Sequence, residues 1–407
     1  MNIHLTLRRN DDNTLRGEAV YENISGDYDF ALDQNFTPRS ECPLEKTHTM
    51  PDTYLDKTNT IVYRKANIYR IKGDVPGSLK IEFESAGEFA SDIAYNRVSE
   101  EMIALDALNI NFFPVPIARE TTEKIRPFEK FETGKENAIE FGKLTFSVEG
   151  FEPYRVINSD GGTIKQFCKL VPFKLLAVDE SKIMKKECGR ATAYCFFSET
   201  ESRNAARLVE EASRMIEWLG AKLFPDIETP ERMYFISYGK KISGGFNRGI
   251  TVELERFYLP RTLKGRQLLA HEIAHYWCMS EPPATWNEQM LAEGGADWSH
   301  LLYARSQGRL RFMIDYCFLA CAYCINSFVN RMYGIIHRTN AYNIHLRGYR
   351  FYKGIYRKHG KDALMRCIRH FNRIEVKTME SFLRAVEANE PAEVYASVKR
   401  LARAMLV

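Results

Sequence analysis

Apolar and polar residues alternate in short runs through the first 178 positions, and after about 180 they recur mostly at helical spacing. Ile3–Leu7, Ile61–Tyr63, Asn67–Ile71, Leu79–Phe83, Lys143–Val148 and Phe167–Val171 read as strands bounded by polar or Gly/Pro turns. Ser99–Leu108 reads as a short helix among them. Farther on, strands at Ala191–Phe197 and Met233–Tyr238 flank a helix opened by the capping box Ser198-x-x-Glu201, with Ala205, Leu208, Ala212, Met215, Ile216 and Leu219 on one face. A strand at Ile250–Leu254 follows, then an uninterrupted helix over 266–280 and a second through 292–298. The remainder is almost wholly helical, ending in Ser381–Ala388 and an amphipathic segment through Val394, Val398 and Leu401. The pattern predicts an α+β chain: an antiparallel β domain over 1–178 and a mixed α/β, mainly helical domain over 179–407.

Composition narrows the function classes. With 45% apolar and 27% charged residues, the 407-residue chain is ordinary globular material, long enough for a large core. A net charge of +4 predicts neither nucleic-acid nor membrane binding. The longest apolar run, Tyr316–Ile325, is about half of a membrane span, and the N-terminus reads as a strand rather than an export signal. Nine cysteines without paired spacing read as free thiols in a reducing compartment, the cytoplasm. Cys317-x3-Cys321-x2-Cys324 has the spacing of an iron–sulfur motif, but it falls inside an apparent helix over 311–329. There the three thiols share one face, as small core residues do.

The chemistry concentrates at His271-Glu272-Ile273-Ala274-His275. Residues four apart on a helix lie on one face, so two imidazoles can hold one Zn²⁺ with Glu272 beside them as general base. Glu293, on the second helix, is the candidate third ligand. Asp297, one turn later, reads either as a carboxylate that orients a histidine or as a solvent-facing residue.

These stretches resemble the gluzincin metallopeptidases of the aminopeptidase N type, here in a compact form without the long C-terminal helical domain. The resemblance rests on HEIAHYW at 271–277, Trp286-Asn287 and AEGGA at 292–296. The interval from His275 to Glu293 is one residue shorter than the family's, and the deletion falls in the Pro282-Pro283 connection, where it rotates no helical face. The resemblance implies a thermolysin-like catalytic domain, one zinc per chain on His271, His275 and Glu293, and a peptide substrate. It also implies a substrate-binding strand through Gly244, Gly245 and Asn247. The family's amine-binding glutamate is absent from that strand, so recognition of the amino terminus is altered. Glu253 reads as its substitute or as a solvated strand residue. Two registers compete for the family's oxyanion-stabilising tyrosine. One uses Tyr352-Lys353-Gly354; the preferred one places Arg347-Gly348 on the Lys-Gly pair and His345 at the tyrosine position, with Tyr342 and Tyr349 nearby. Two functions fit: zinc-dependent peptide-bond hydrolysis, or a catalytically inactive zinc-stabilised module that binds peptide or protein.

Overall fold

The structure, a computed structural model, describes residues 1–406 except 13, 25–27, 50–65, 74–76, 91–96, 101, 107–111, 121–142, 153, 158–164, 168–173, 197–201, 238–244, 255–261, 279–285 and 333–340. The chain divides into two compact units that meet in sequence at Lys182 and Ile183.

The N-terminal unit is built of β-sheets. Its six-stranded sheet runs in the order Lys165–Phe167, Lys143–Glu149, Asn2–Arg9, Leu15–Glu22, Ser78–Ser85 and Phe36–Ser40. Alternation works as expected there: Ile3, Leu5 and Leu7 are buried with Tyr21, Phe83 and Phe146, while the residues between them are partly exposed. The helix expected over 99–108 is not formed among the described residues of that range. Met102–Asp106 is a strand, antiparallel to Lys174–Asp179, with Ile103 opposite Ala177 and Leu105 opposite Leu175. Pairing with Lys174–Asp179 along its length, and with Arg97–Val98 at Ile103 and Ala104, holds it extended, and non-local burial overrides the local helical preference. The expected strand at 61–63 and the capping box at 198–201 lie outside the described residues.

The C-terminal unit carries a five-stranded sheet in the order Ile183–Cys188, Ala191–Phe196, Arg232–Ser237, Thr251–Leu254 and Gly245–Arg248, the last at the edge. Its helices are α1 (Ser202–Trp218), α2 (Leu263–Cys278), α3 (Trp286–Ser306), α4 (Arg309–Met332), α5 (Ala341–Arg373), α6 (Met379–Asn389) and α7 (Ala392–Leu406). The expected periodic face of α1, Ala205 through Ile216, is buried against one sheet face that supplies Ala193, Cys195, Met233, Phe235 and Val252. In α5 the helical path breaks at Gly360, whose φ of 80° a glycine adopts without a Cβ penalty.

Helices α3 and α5 cross where Gly294 meets Gly348. A Cβ on Gly348 would fall 2.0 Å from the Met290 carbonyl oxygen and 2.8 Å from the Gly294 Cα. Two polar contacts fix this crossing: the Trp298 indole donates to the Tyr349 carbonyl at 3.0 Å, and the Tyr352 hydroxyl to the Leu291 carbonyl at 3.2 Å. Cys317, Cys321 and Cys324 do not enter the core as expected; all three are exposed on α4. The inner face of that helix is instead Phe312, Asp315, Leu319 and Tyr323, half a turn away. No helix of the described residues is long and apolar enough to cross a membrane.

Candidate metal centre

Helix α2 brings His271 and His275 to one face, and α3 brings Glu293 against them. The Nε2 atoms of the two histidines stand 2.9 Å apart, and Glu293 Oε2 lies 3.2 Å from each. All three residues are buried. Behind them, His271 Nδ1 is 3.0 Å from Asp297 Oδ1, and Tyr323 on α4 donates from its hydroxyl to Asp297 Oδ2. Asp297 is therefore an orienting carboxylate, not a solvent-facing one; it is 1% exposed.

The Asp297 contact fixes one ring. A carboxylate at Nδ1 holds a proton there, so in the neutral ring the His271 Nε2 lone pair faces His275. Two imidazole nitrogens and a carboxylate oxygen within about 3 Å of one another call for a cation among them, a metal ion or a proton. Zinc bonds of 2.0–2.1 Å place tetrahedral ligand atoms about 3.3 Å apart, close to the separations found. The donor set fits zinc.

The electrostatics point the same way. Burial opposes a charge on Glu293, yet His275, His345 and His271 hold its carboxyl well below the usual range. Burial likewise opposes an imidazolium at His271, but Asp297 and Glu293 raise it well above its ordinary value. The pocket holds its carboxylates ionised and calls for positive charge between them. Glu272 behaves differently. Burial pushes its carboxyl up, with the histidine charges opposing that shift.

Glu272 lies against the edge strand. A Cβ on Gly245 would fall 2.8 Å from Glu272 Cγ and 3.0 Å from its Oε1, and the Asn247 side chain donates to the Glu272 carbonyl at 2.9 Å. Phe246 stands opposite Glu253 across the strand pair. Glu253 is fully buried rather than solvated, on the sheet face opposite Gly245 and Asn247. His345 comes in from α5, with Nε2 3.4 Å from Glu293 Oε2 and Nδ1 3.8 Å from Asp297 Oδ2. Tyr352, the competing candidate, sits in the core on Leu291. Gly244 and the side chain of Tyr342 lie outside the described residues.

No family model matches the chain, and no curated protein does. Solved structures do. A two-domain M1 zinc metallopeptidase bound to L-tryptophan superposes with a TM-score of 0.54 at 13% identity, covering 98% of this chain and 93% of that one. The M1 zinc metallopeptidase from Deinococcus radiodurans gives 0.53 at 14%, covering 98% and 92%. The chain has the two-domain M1 metallopeptidase fold. At these identities the likeness is one of architecture, an N-terminal β region followed by a helical C-terminal part. In the M1 fold of this chain, Tyr323 is the site residue that sequence reasoning missed. It has no motif spacing to the metal helix, and its one local signal is a tyrosine among small residues on the buried side of α4.

Proposed function

We propose that the chain is a zinc metallopeptidase that hydrolyses peptide bonds, with an aminopeptidase-like site altered in how it meets the substrate's amino terminus. The observation that carries this reading is the convergence of His271, His275 and Glu293 beside the buried, uncoordinated carboxylate of Glu272. A zinc ion held for structure alone gains nothing from such a neighbour. When bound, zinc supplies a Lewis acid that acidifies water and polarises a carbonyl.

The protein groups do the rest. Glu272, its proton affinity raised by burial, takes a proton from the attacking water and returns it to the leaving amine. His345 donates a hydrogen bond from Nε2 to the negative charge that develops on the carbonyl oxygen. The edge strand Gly245–Arg248 offers main-chain groups along which an extended peptide can lie, and Gly245 leaves the space in front of Glu272 free of a side chain. Replacing His345 with phenylalanine is expected to lower kcat about a hundredfold with KM little changed. An unchanged kcat would remove His345 from the mechanism.

Metal analysis paired with a panel of N-terminally blocked and unblocked fluorogenic peptides tests the whole reading. One zinc per chain and turnover of at least one class is the expected result. Turnover confined to unblocked peptides assigns an aminopeptidase, whereas cleavage of blocked ones assigns an endopeptidase. Inactivity toward both in zinc-replete protein would overturn hydrolysis in favour of a binding module.

A further inference from the structure

Helix α4 turns Phe312, Asp315, Leu319 and Tyr323 inward, and its outer face is apolar. Leu310 is 74% exposed, Met313 49%, Ile314 44%, Ile325 62% and Phe328 65%, with the exposed thiols of Cys317, Cys321 and Cys324 between them. Five of the six large apolar side chains that the described residues expose lie on this one helix, so the exposure is a patch, not scatter. Positions 310, 314, 317, 321, 324 and 328 alternate steps of four and three, the period at which one helix packs along another. From Phe312 to Asn330 the only charged residue is Asp315, which is turned inward onto Arg266.

The stripe is also symmetric about the level of Leu319. Leu310 and Phe328 lie nine residues to either side of it, Met313 and Ile325 six, Ile314 and Cys324 five, and Cys317 and Cys321 two. We propose that this face pairs with the same face of a second copy of the chain, antiparallel, about a two-fold axis at the level of Leu319. Each member of a mirrored pair then meets its counterpart on the other copy. Bulky ends seat on bulky ends, and the small thiols at the centre let the helices approach closely. The seam is about 27 Å long. Among the described residues almost all exposed large apolar side chains are gathered on this stripe, and such a contiguous patch marks an interaction face.

A second copy suits the face better than a lipid surface does. Helices that lie on membranes set basic residues along the apolar face, and α4 has no Lys, Arg or Trp from Phe312 to Asn330. The pairing does not depend on the catalytic reading, and its test needs no substrate.

Light scattering on the zinc-replete full chain at micromolar concentration should give twice the 47.1 kDa chain mass. A double variant, Ile314→Glu with Ile325→Glu, should weaken the dimer a hundredfold or more, because it sets carboxylates in an apolar seam. Both positions are already open to solvent in the single copy, so unfolding midpoint and zinc content should stay at wild-type values. A short bismaleimide should cross-link the dimer through Cys317 and Cys321, a product lost in the double variant Cys317→Ser with Cys321→Ser and kept in Cys324→Ser. A single-chain mass for the wild type, or a dimer that survives the double substitution, would overturn the proposal. So would a monomer that co-sediments with anionic vesicles through this face.

Discussion

Glu272→Gln should leave zinc bound and lower peptide hydrolysis by two to four orders of magnitude, the usual contribution of a positioned general base. The amide keeps the size of the carboxylate and its seat on Gly245, so the fold and the three ligands are undisturbed. What it loses is the ability to take a proton. Metal content by atomic absorption and kcat on the best peptide of the panel are the two readouts. Full metal content with unchanged turnover would remove Glu272 from the chemistry. Loss of zinc along with activity would instead mean that the residue helps to hold the ion.

The largest effect on stability is expected at Gly348→Ala. Its Cβ would strike backbone, the Met290 carbonyl and the Gly294 Cα, so no side-chain rotation relieves the clash and α3 must move off α5. Alanine gains about 1 kcal/mol of helix propensity, which overpacking against rigid backbone, about 3 kcal/mol, outweighs. Gly295→Ala is the control. Its Cβ would meet Cys278 Sγ at 3.5 Å and the Tyr352 hydroxyl at 3.8 Å, ordinary contacts, so this variant should be at least as stable as wild type. Urea midpoints compare the two variants, and zinc affinity should fall in Gly348→Ala alone, because Glu293 is next to Gly294 and His345 lies on α5. Equal midpoints for the two would show that the crossing is not a tight contact.

The contrast between these two glycines shows what one sequence discloses and what it withholds. The donor triad was legible because the spacing of His271 and His275 is local and a helix converts four residues into a shared face. The helices were legible from their apolar period for the same reason. Gly294 and Gly348, by contrast, are 54 positions apart, and nothing near either one announces the other. Met102–Asp106 failed as a helix because its fate was decided by partners at 97–98 and 174–178. Glu253 passed for a surface residue since polar residues on strands usually are, and only the sheet around it shows that it is enclosed. Tyr323 reaches the metal centre through Asp297, a contact between helices that the sequence does not encode at short range.

The donor groups brought together around His271 are imidazole nitrogens and carboxylate oxygens, and among the described residues no sulfur joins them. Peroxide disables thiolate zinc sites by converting the ligand to sulfenic acid, and this centre offers it no such foothold. Cys278, one turn after His275, is buried, and burial pushes its thiol up to about 12, so it stays protonated and unreactive. Oxidation of thiols among the described residues would therefore leave this donor set intact.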